Sequence, residues 1–330
     1  MICLGCESTA HTFSIAIVSD EGGRCNILAN EKHSVVTEEG GLIPRELRKH
    51  HQEHAVPVLK AALEKAKVKL KDIDLISFSI GPGIGPALET GAVVARTLAM
   101  KHEKPLLGVN HCVGHVEIGK ALTGCKDPIV VYVSGANTQI IGYEQGKYRV
   151  YGETLDVGVG NLLDAFGRKL GLGFPAGPVL DKMYFESENY VELPYTVKGM
   201  DLAFSGLQTA SVLKIGKENK KDLAYSLLHN AFAIVTEVAE RALAHTEKKE
   251  ILLTGGVAAS KALREMLGKM CEDRGAKLFV PEFQACLDNG LLPAWLGIVM
   301  HKAGNRMKVE ESIVDQRQRT DSVEVNWVKS

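Results

Sequence analysis

The sequence predicts an α/β protein made of two similar lobes. Three observations carry this reading: short apolar runs alternate with longer helical patterns, the order of these elements repeats in the two halves, and small-residue turns fall at matching places. The chain has 330 residues, a length for two domains at the usual ~100–200 residues each. Its 39 Lys and Arg balance 40 Asp and Glu. That excludes a polybasic surface over the whole chain and confines phosphate contacts to local patches or helix N-termini. The 33 glycines gather in short turns, so they read as positional rather than low-complexity.

The elements follow in order. Residues 2–6, 12–18 and 25–29 form three strands, the last two separated by Asp20-Glu21-Gly22-Gly23. From Pro44 to about Lys67 the positions Leu47, His51, His54, Val58, Ala62 and Ala66 recur at helical spacing. Residues 73–80 make a strand that runs into Gly81-Pro82-Gly83-Ile84-Gly85 and an Ala-rich helix to about His102. A strand at 106–109 and a helix from His111 close this half. The second half restarts with a strand at 129–133, a turn at Ser134-Gly135-Ala136-Asn137 and a hairpin of 138–143 with 147–153. After an insertion come a helix at 223–247, a strand at 250–253, Gly255-Gly256, a helix at 259–273, a strand at 277–280 and a helix at 287–303.

Glu7 to Thr12 thus matches Ser134 to Thr138, and Gly81-Pro82-Gly83 matches Gly255-Gly256-Val257. Such a duplication places a cleft between the lobes, lined by the small-residue turns. It suits the two-lobe nucleotide-binding α/β fold of the actin, Hsp70 and sugar-kinase type, with duplicated RNase H-like lobes. The expected division is residues 1–127 plus 299–330 for the first lobe and 128–298 for the second. In the tail, Val323, Val325 and Trp327 alternate, so residues 304–330 are expected to return to the first lobe as an extended segment.

Seven scattered cysteines, without a repeated C-x-x-C, read as reduced and mostly buried thiols of a cytoplasmic protein. The N-terminus lacks a basic n-region and meets an acid at Glu7, unlike a signal peptide. No uncharged apolar run reaches the ~18 residues of a membrane span.

The turns Gly81 to Gly85 and Gly255 to Ser260 each join a strand to a helix, where free backbone N–H groups can meet an anion. Neither ends in the Gly-Lys-Ser/Thr of a Walker A loop. One such turn is ordinarily only a turn; repeated positions favour phosphate binding. His111 and His115 stand at i and i+4, on one helix face, where one metal ion can bridge them. Cys112 follows His111 where a zinc-protease His-Glu-x-x-His would need its glutamate base. Two surface or capping histidines are the plain alternative. Asp288 could add an oxygen ligand from the start of the last helix. His50, His51 and His54, amid Lys and Arg, read as surface or partner-facing. Asp164, one turn into a helix, and Asp181, after a stretch too rich in Gly and Pro for a helix, could accept ribose hydroxyls; singly, a surface salt bridge is the ordinary reading of either.

Several motifs together carry a resemblance: Glu7-Ser8-Thr9-Ala10-His11-Thr12, Gly81-Pro82-Gly83-Ile84-Gly85, Asn110-His111-Cys112-Val113-Gly114-His115, Tyr132-Val133-Ser134-Gly135-Ala136-Asn137-Thr138-Gln139, Gly171-Leu172-Gly173-Phe174-Pro175, Asp201-Leu202-Ala203-Phe204-Ser205-Gly206-Leu207, Asp288-Asn289-Gly290 and the tail Arg319 to Trp327. End to end, the chain resembles the universal tRNA threonylcarbamoyladenosine transferase family, in its archaeal and eukaryotic branch, the catalytic subunit of the KEOPS complex. The family was once labelled O-sialoglycoprotein endopeptidase. The resemblance implies one divalent metal ion, iron or else zinc, held by His111, His115, Tyr132 and Asp288. It implies an adenine nucleotide or threonylcarbamoyl-adenylate at Tyr132, Val133, Ser134, Gly135, Ala136, Asp164, Gly177, Asp181 and Ser260. It further implies transfer of the threonylcarbamoyl group from its adenylate to N6 of adenosine 37 in tRNAs reading codons that begin with A. The implied partners are tRNA, a small atypical protein kinase, fused after this domain in some archaea, and two small subunits; no membrane is involved.

The chain departs from the family pattern at Ala136 and Ala176, where glycine is usual, and at Ser260, where Asn is usual. If those glycines use positive φ, the loops here must rearrange, and Ser260 lacks the second arm of an amide. No Ser-His-Asp or Cys-His pair points to a covalent nucleophile. The rival readings are a small-molecule phosphotransferase of the same two-lobe superfamily and a regulatory nucleotide-binding module. The histidine pair with Tyr132 and Asp288 separates the acyltransferase from the phosphotransferase, since sugar kinases need no histidine-bound metal. Local basic groups, Arg45/Arg48/Lys49, Lys60 to Lys71 and Arg317/Arg319, are the available tRNA contacts, which partner subunits would complete.

Overall fold

The computed structural model describes residues 1–35 and 43–328. Strands β1 (Ile2–Glu7), β2 (Thr12–Glu21) and β3 (Arg24–Ser34) form an antiparallel meander. Helix α1 (Pro44–Ala66), strand β4 (Leu75–Gly81), helix α2 (Gly85–Lys101), strand β5 (Leu106–Asn110) and helix α3 (His111–Thr123) follow. β4 runs parallel to both β1 and β5, giving the order β3-β2-β1-β4-β5. β4 reads Leu-Ile-Ser-Phe-Ser-Ile-Gly and is buried throughout, as a central parallel strand covered on both faces requires.

The second half repeats this plan. β6 (Ile129–Val133), β7 (Thr138–Glu144) and β8 (Lys147–Glu153) form the meander. An insertion then supplies α4 (Val159–Lys169), α5 (Gly177–Tyr184), the small hairpin β9 (Val197–Lys198) and β10 (Asp201–Leu202), and α6 (Ser205–Leu213). The long helix α7 (Lys220–Thr246), β11 (Glu250–Thr254), α8 (Lys261–Asp273), β12 (Lys277–Phe279), α9 (Phe283–Cys286) and α10 (Leu291–Lys302) complete it. The sheet order β12-β11-β6-β7-β8 is that of the first sheet, strand for strand and sense for sense. Helices α1 and α7, α2 and α8, and α3 and α10 occupy equivalent places.

Each lobe has its own core. In the second, Leu227, Phe232, Val235 and Val238 of α7 pack on Ile129, Val131 and Ile140. Between the sheets lie α3 and α10, packed on each other. Glycines allow the close approach: a Cβ at Gly5 would fall 2.2 Å from the Gly290 carbonyl oxygen, and one at Gly119 would fall 2.7 Å from Leu252 Cδ2. α10 is apolar on nearly every side, and it lies on β1 and β4 of the first sheet. Among the described residues no helix is long and apolar enough to cross a membrane. All cysteines are free, and all but Cys25 are buried.

The structure corrects four expectations. The last helix starts at Leu291 because Asn289 folds the chain into a turn, donating to the Gln284 and Leu287 carbonyls and accepting from Leu291 N. Asp181 lies within α5; Pro178 stands in its first turn, where a missing N–H does no harm. His51 is buried, its ring against Phe13 and its Nε2 3.0 Å from the Ala10 carbonyl. The tail serves both lobes. Asp315 N donates to the Ile80 carbonyl (2.9 Å) and Arg96 Nε to Ser312 Oγ (2.8 Å), but Val325 N then donates to the Gly146 carbonyl (2.8 Å). Val325 is buried among Tyr132, Ile141 and Tyr148 of the second sheet and its neighbours.

Candidate metal and nucleotide site

Strand β5 ends at Asn110, whose Oδ1 accepts from Val113 N at 3.1 Å and caps α3. The cap fixes His111 and His115 one turn apart, both buried. Asp288 enters from the turn before α10, and Tyr132 from β6. His111 Nε2 lies 3.2 Å from the Tyr132 hydroxyl and 3.4 Å from Asp288 Oδ1; His115 Nε2 lies 3.2 Å from the same oxygen. Ligating atoms of His111, His115 and Asp288 all lie within 4.8 Å of one another.

Glu7, at the end of β1, stands behind this cluster. Its Oε2 is 3.1 Å from His111 Nδ1 and accepts from the Ser79 hydroxyl, while its Oε1 accepts from Thr9 N at 2.8 Å. The carboxylate holds the Nδ1–H of His111, which turns Nε2 toward Asp288 and Tyr132. A metal-binding histidine is oriented this way by an outer carboxylate. The sequence reading assigned Glu7 no role; its one signal is an acid closing an otherwise apolar strand.

Electrostatics follow from this packing. Burial disfavours charge on His111, but Glu7, Tyr132 and Asp288 outweigh it and hold the imidazole well above its ordinary pKa. Burial would raise Asp288 and Glu7, yet the neighbouring His111 keeps both below the usual carboxylate range. His115 is pushed down by burial, and the Tyr132 phenol is pushed up by it. His111 thus sits between two carboxylates that favour its charged form, and His115 Nδ1 is buried with no partner. Two imidazoles, a carboxylate and a phenol in this arrangement fit a borderline divalent ion. An arriving cation must displace the His111 Nε2 proton.

The nucleotide candidates surround the end of β6. In the turn after Val133, Ser134 N donates to the Asn137 carbonyl (2.8 Å) and Asn137 N to Ser134 Oγ (3.2 Å). The start of α4 packs beneath: Gly160 N and Asn161 N donate to the Ser134 and Gly135 carbonyls, and a Cβ at Gly158 would fall 2.4 Å from the Gly135 oxygen. Gly255 has φ +94° and approaches so closely that a Cβ would lie 2.2 Å from the Val133 oxygen. The two glycine-containing turns of the second lobe are thus brought together.

Ala136 and Ala176 need no loop rearrangement. Neither has positive φ, and Ala176 is at φ −81°. Its N–H donates to Asp164 Oδ1 at 2.8 Å, and burial pushes that carboxyl up. Asp181 accepts from Ser260 Oγ, from Lys261 N at 3.0 Å and from Ala262 N at 3.3 Å. Ser260 Oγ also accepts from Leu263 N at 3.2 Å, so Asp181 and Ser260 cap α8 as a unit. Gly177 opens α5 between the two carboxylates.

The fold and the cluster define a class: a two-lobe α/β protein of the actin and Hsp70 type with a His–His–Asp–Tyr centre between its sheets, buried except for a partly exposed Asp288. Solved structures share the architecture at low identity. Component A of (R)-2-hydroxyglutaryl-CoA dehydratase from Acidaminococcus fermentans aligns over 92% of this chain and 100% of its own, with 16% identity and TM-score 0.60. HypF of T. kodakarensis aligns over 94% of this chain and 49% of its own, with 15% identity and TM-score 0.65.

The family model described as tRNA N6-adenosine threonylcarbamoyltransferase matches residues 26–295, and the chain belongs to that family. Proteins of that name from Thermococcus sibiricus and Thermococcus kodakarensis are each 53% identical over 99% of this chain and 100% of theirs. A probable bifunctional tRNA threonylcarbamoyladenosine biosynthesis protein of Methanocaldococcus jannaschii is 48% identical over 100% of this chain, which spans 61% of that protein.

Proposed function

We propose that this chain transfers the threonylcarbamoyl group from threonylcarbamoyl-adenylate to N6 of adenosine 37 of tRNAs reading codons that begin with A. Membership of the family supports the reaction. The observation that carries the site is the convergence of His111, His115, Asp288 and Tyr132, with Glu7 behind His111, at the base of the Ser134 to Asn137 turn. These four residues would hold one divalent ion, iron or zinc, which when bound supplies a Lewis acid for the acyl group.

The chain's own groups do the rest. Glu7 keeps His111 turned inward. Backbone N–H groups of the turn at Gly255 to Ser260 face the adenylate phosphate, and Asp164 and the Asp181–Ser260 cap bound the nucleoside end. The Gly81 to Gly85 turn is closed instead, Gly83 N donating to the Gln316 carbonyl (3.2 Å) and Ile84 N to the Thr9 carbonyl (2.8 Å). The adenosine N6 amine is a weak nucleophile, so alignment against the acyl carbon supplies much of the rate. The net charge of −1 leaves tRNA to local basic patches and to partner subunits, among them a small kinase and two smaller proteins of a KEOPS-type assembly. The bifunctional relatives support a second activity working beside this one. A cytoplasmic site of action goes with the tRNA substrate and the free thiols. The lobe division that goes with this reading is residues 1–127 plus 299–330 for the first and 128–298 for the second; α10 packs on β1 and β4 of the first sheet, and the tail reaches both.

The test is nucleoside analysis of such tRNA after incubation with threonylcarbamoyl-adenylate, this protein and the partner subunits. Threonylcarbamoyladenosine formed only when this chain is present supports the proposal; its absence from the complete mixture overturns it.

A further inference from the structure

Outside that centre, β3 and α1 bring three more histidines together. His50 and His54 lie at i and i+4 on α1, and His33 faces them from β3. Each offers a ring nitrogen within 4.8 Å of the other two; His33 is exposed and the helical pair half-buried. The rings stack, with centroids 3.6 Å apart for His33 and His54 and 4.4 Å for His50 and His54.

The backbone assigns their protons. His54 Nδ1 lies 2.8 Å from the His50 carbonyl oxygen, which can only accept, so Nδ1 carries the hydrogen and Nε2 is a bare lone pair. His51 Nε2 lies 3.0 Å from the Ala10 carbonyl, so its hydrogen is on Nε2 and its Nδ1 accepts. His50 Nδ1, 3.0 Å from that acceptor, must then be the donor, which leaves His50 Nε2 bare as well. His33 Nδ1 lies 2.7 Å from this Nε2 and donates to it.

We propose that His33, His50 and His54 form a second metal site, where β3 meets α1, for a borderline transition-metal ion such as Zn²⁺, Ni²⁺ or Cu²⁺. His50 and His54 present bare Nε2 atoms from one helix face, and each donates its Nδ1–H to a neighbour. That outer hydrogen bond orients a metal-bound imidazole. His33 joins them by turning its own bare Nε2 inward in place of the donated Nδ1–H, so no imidazole loses a proton. The rings must unstack to converge, and the exposed side leaves a position for water. Three nitrogens without a carboxylate suit Zn²⁺, Ni²⁺ and Cu²⁺ better than the oxygen-preferring Mg²⁺ or Ca²⁺. The ion would clamp β3 to α1.

The test uses metal-stripped full-length protein equilibrated with Zn²⁺ and counted by elemental analysis. The His33→Asn/His54→Asn variant is expected to bind one equivalent less than wild type, and His111→Ala/His115→Ala to keep the equivalent that the first variant lacks. With Cu²⁺ on the His111→Ala/His115→Ala protein, electron paramagnetic resonance is expected to show nitrogen superhyperfine splitting that disappears when His33 and His54 are also replaced. Equal Zn²⁺ binding by wild type and His33→Asn/His54→Asn overturns the proposal, whatever becomes of the buried centre.

Discussion

Glu7 Oε2 lies 3.1 Å from His111 Nδ1 although 104 positions separate the two residues, and both are buried. The contact holds the Nδ1–H of His111, so the proton that gives way to a ligand is the one on Nε2. It also ties the end of β1 to the start of α3, and so ties the geometry of the centre to the fold of the first lobe.

Replacing Glu7 by Gln keeps the shape but removes the charge behind His111. Loss of such an outer partner typically weakens metal affinity about 10–100-fold. Competition against a chromophoric chelator should show a drop of that order, with the secondary structure by circular dichroism unchanged. Equal affinity would remove Glu7 from the role given to it.

Metal binding should tighten as pH rises. The neighbouring carboxylates hold His111 above its ordinary pKa, so the ion competes with one proton, and affinity should climb by about tenfold per pH unit until that proton is gone. Stability of the metal-free protein has the opposite dependence on this group. A raised folded pKa contributes stability that is complete below the unfolded value of about 6.5 and is lost as pH rises through the folded value. Glu7 and Asp288 are lowered, so their contribution is present above about pH 4 and is lost as pH falls through their folded values. Melting temperature against pH should therefore peak between these limits, and a flat profile would contradict the assignment.

The Asp181–Ser260 pair should behave as one cap. Ser260→Ala should lower stability by about 1 kcal/mol and Asp181→Ala by about 1–3 kcal/mol, with the double variant falling short of the sum because both act on the same helix end. Denaturant unfolding measures all three. Affinity for an adenine nucleotide, followed by calorimetry, should weaken in Asp164→Ala and in Asp181→Ala. Unchanged affinity in both would sink the placement of the nucleotide.

Removing residues 304–330 should lower the melting temperature of the whole chain, since the segment contacts both sheets. The narrower test is Trp327→Phe, which deletes the Nε1–H that donates to buried Glu117 at 2.8 Å. Its loss leaves that carboxylate with fewer donors and should cost about 1–3 kcal/mol. A truncated chain that melts with the intact one would refute the strap.

Local patterns made much of this molecule legible in the sequence. Apolar runs, helical periodicity and repeated turns locate the strands of both sheets, and the i, i+4 spacing alone puts His111 and His115 on one face. Tyr132 enters only through family resemblance, and Asp288 is a candidate ligand that spacing cannot place, because nothing local says that β6 and the turn before α10 meet α3. Glu7 was missed for the same reason. α10 is apolar all round, so its sequence cannot say which sheet it covers. His51 looked like a surface residue because its neighbours in sequence are charged, whereas its burial is decided by β2 beneath it. The concern over Ala136 and Ala176 depended on φ values that only the fold supplies.

His111→Ala/His115→Ala, assayed for metal and for transfer in one preparation, is the most direct test of the centre. Wild-type protein is predicted to convert adenosine 37 of the tRNA to its threonylcarbamoyl form. The folded variant is predicted to hold one equivalent of metal less and to form no modified nucleoside. Transfer by that variant at the wild-type rate would contradict the claim that this buried centre carries the reaction.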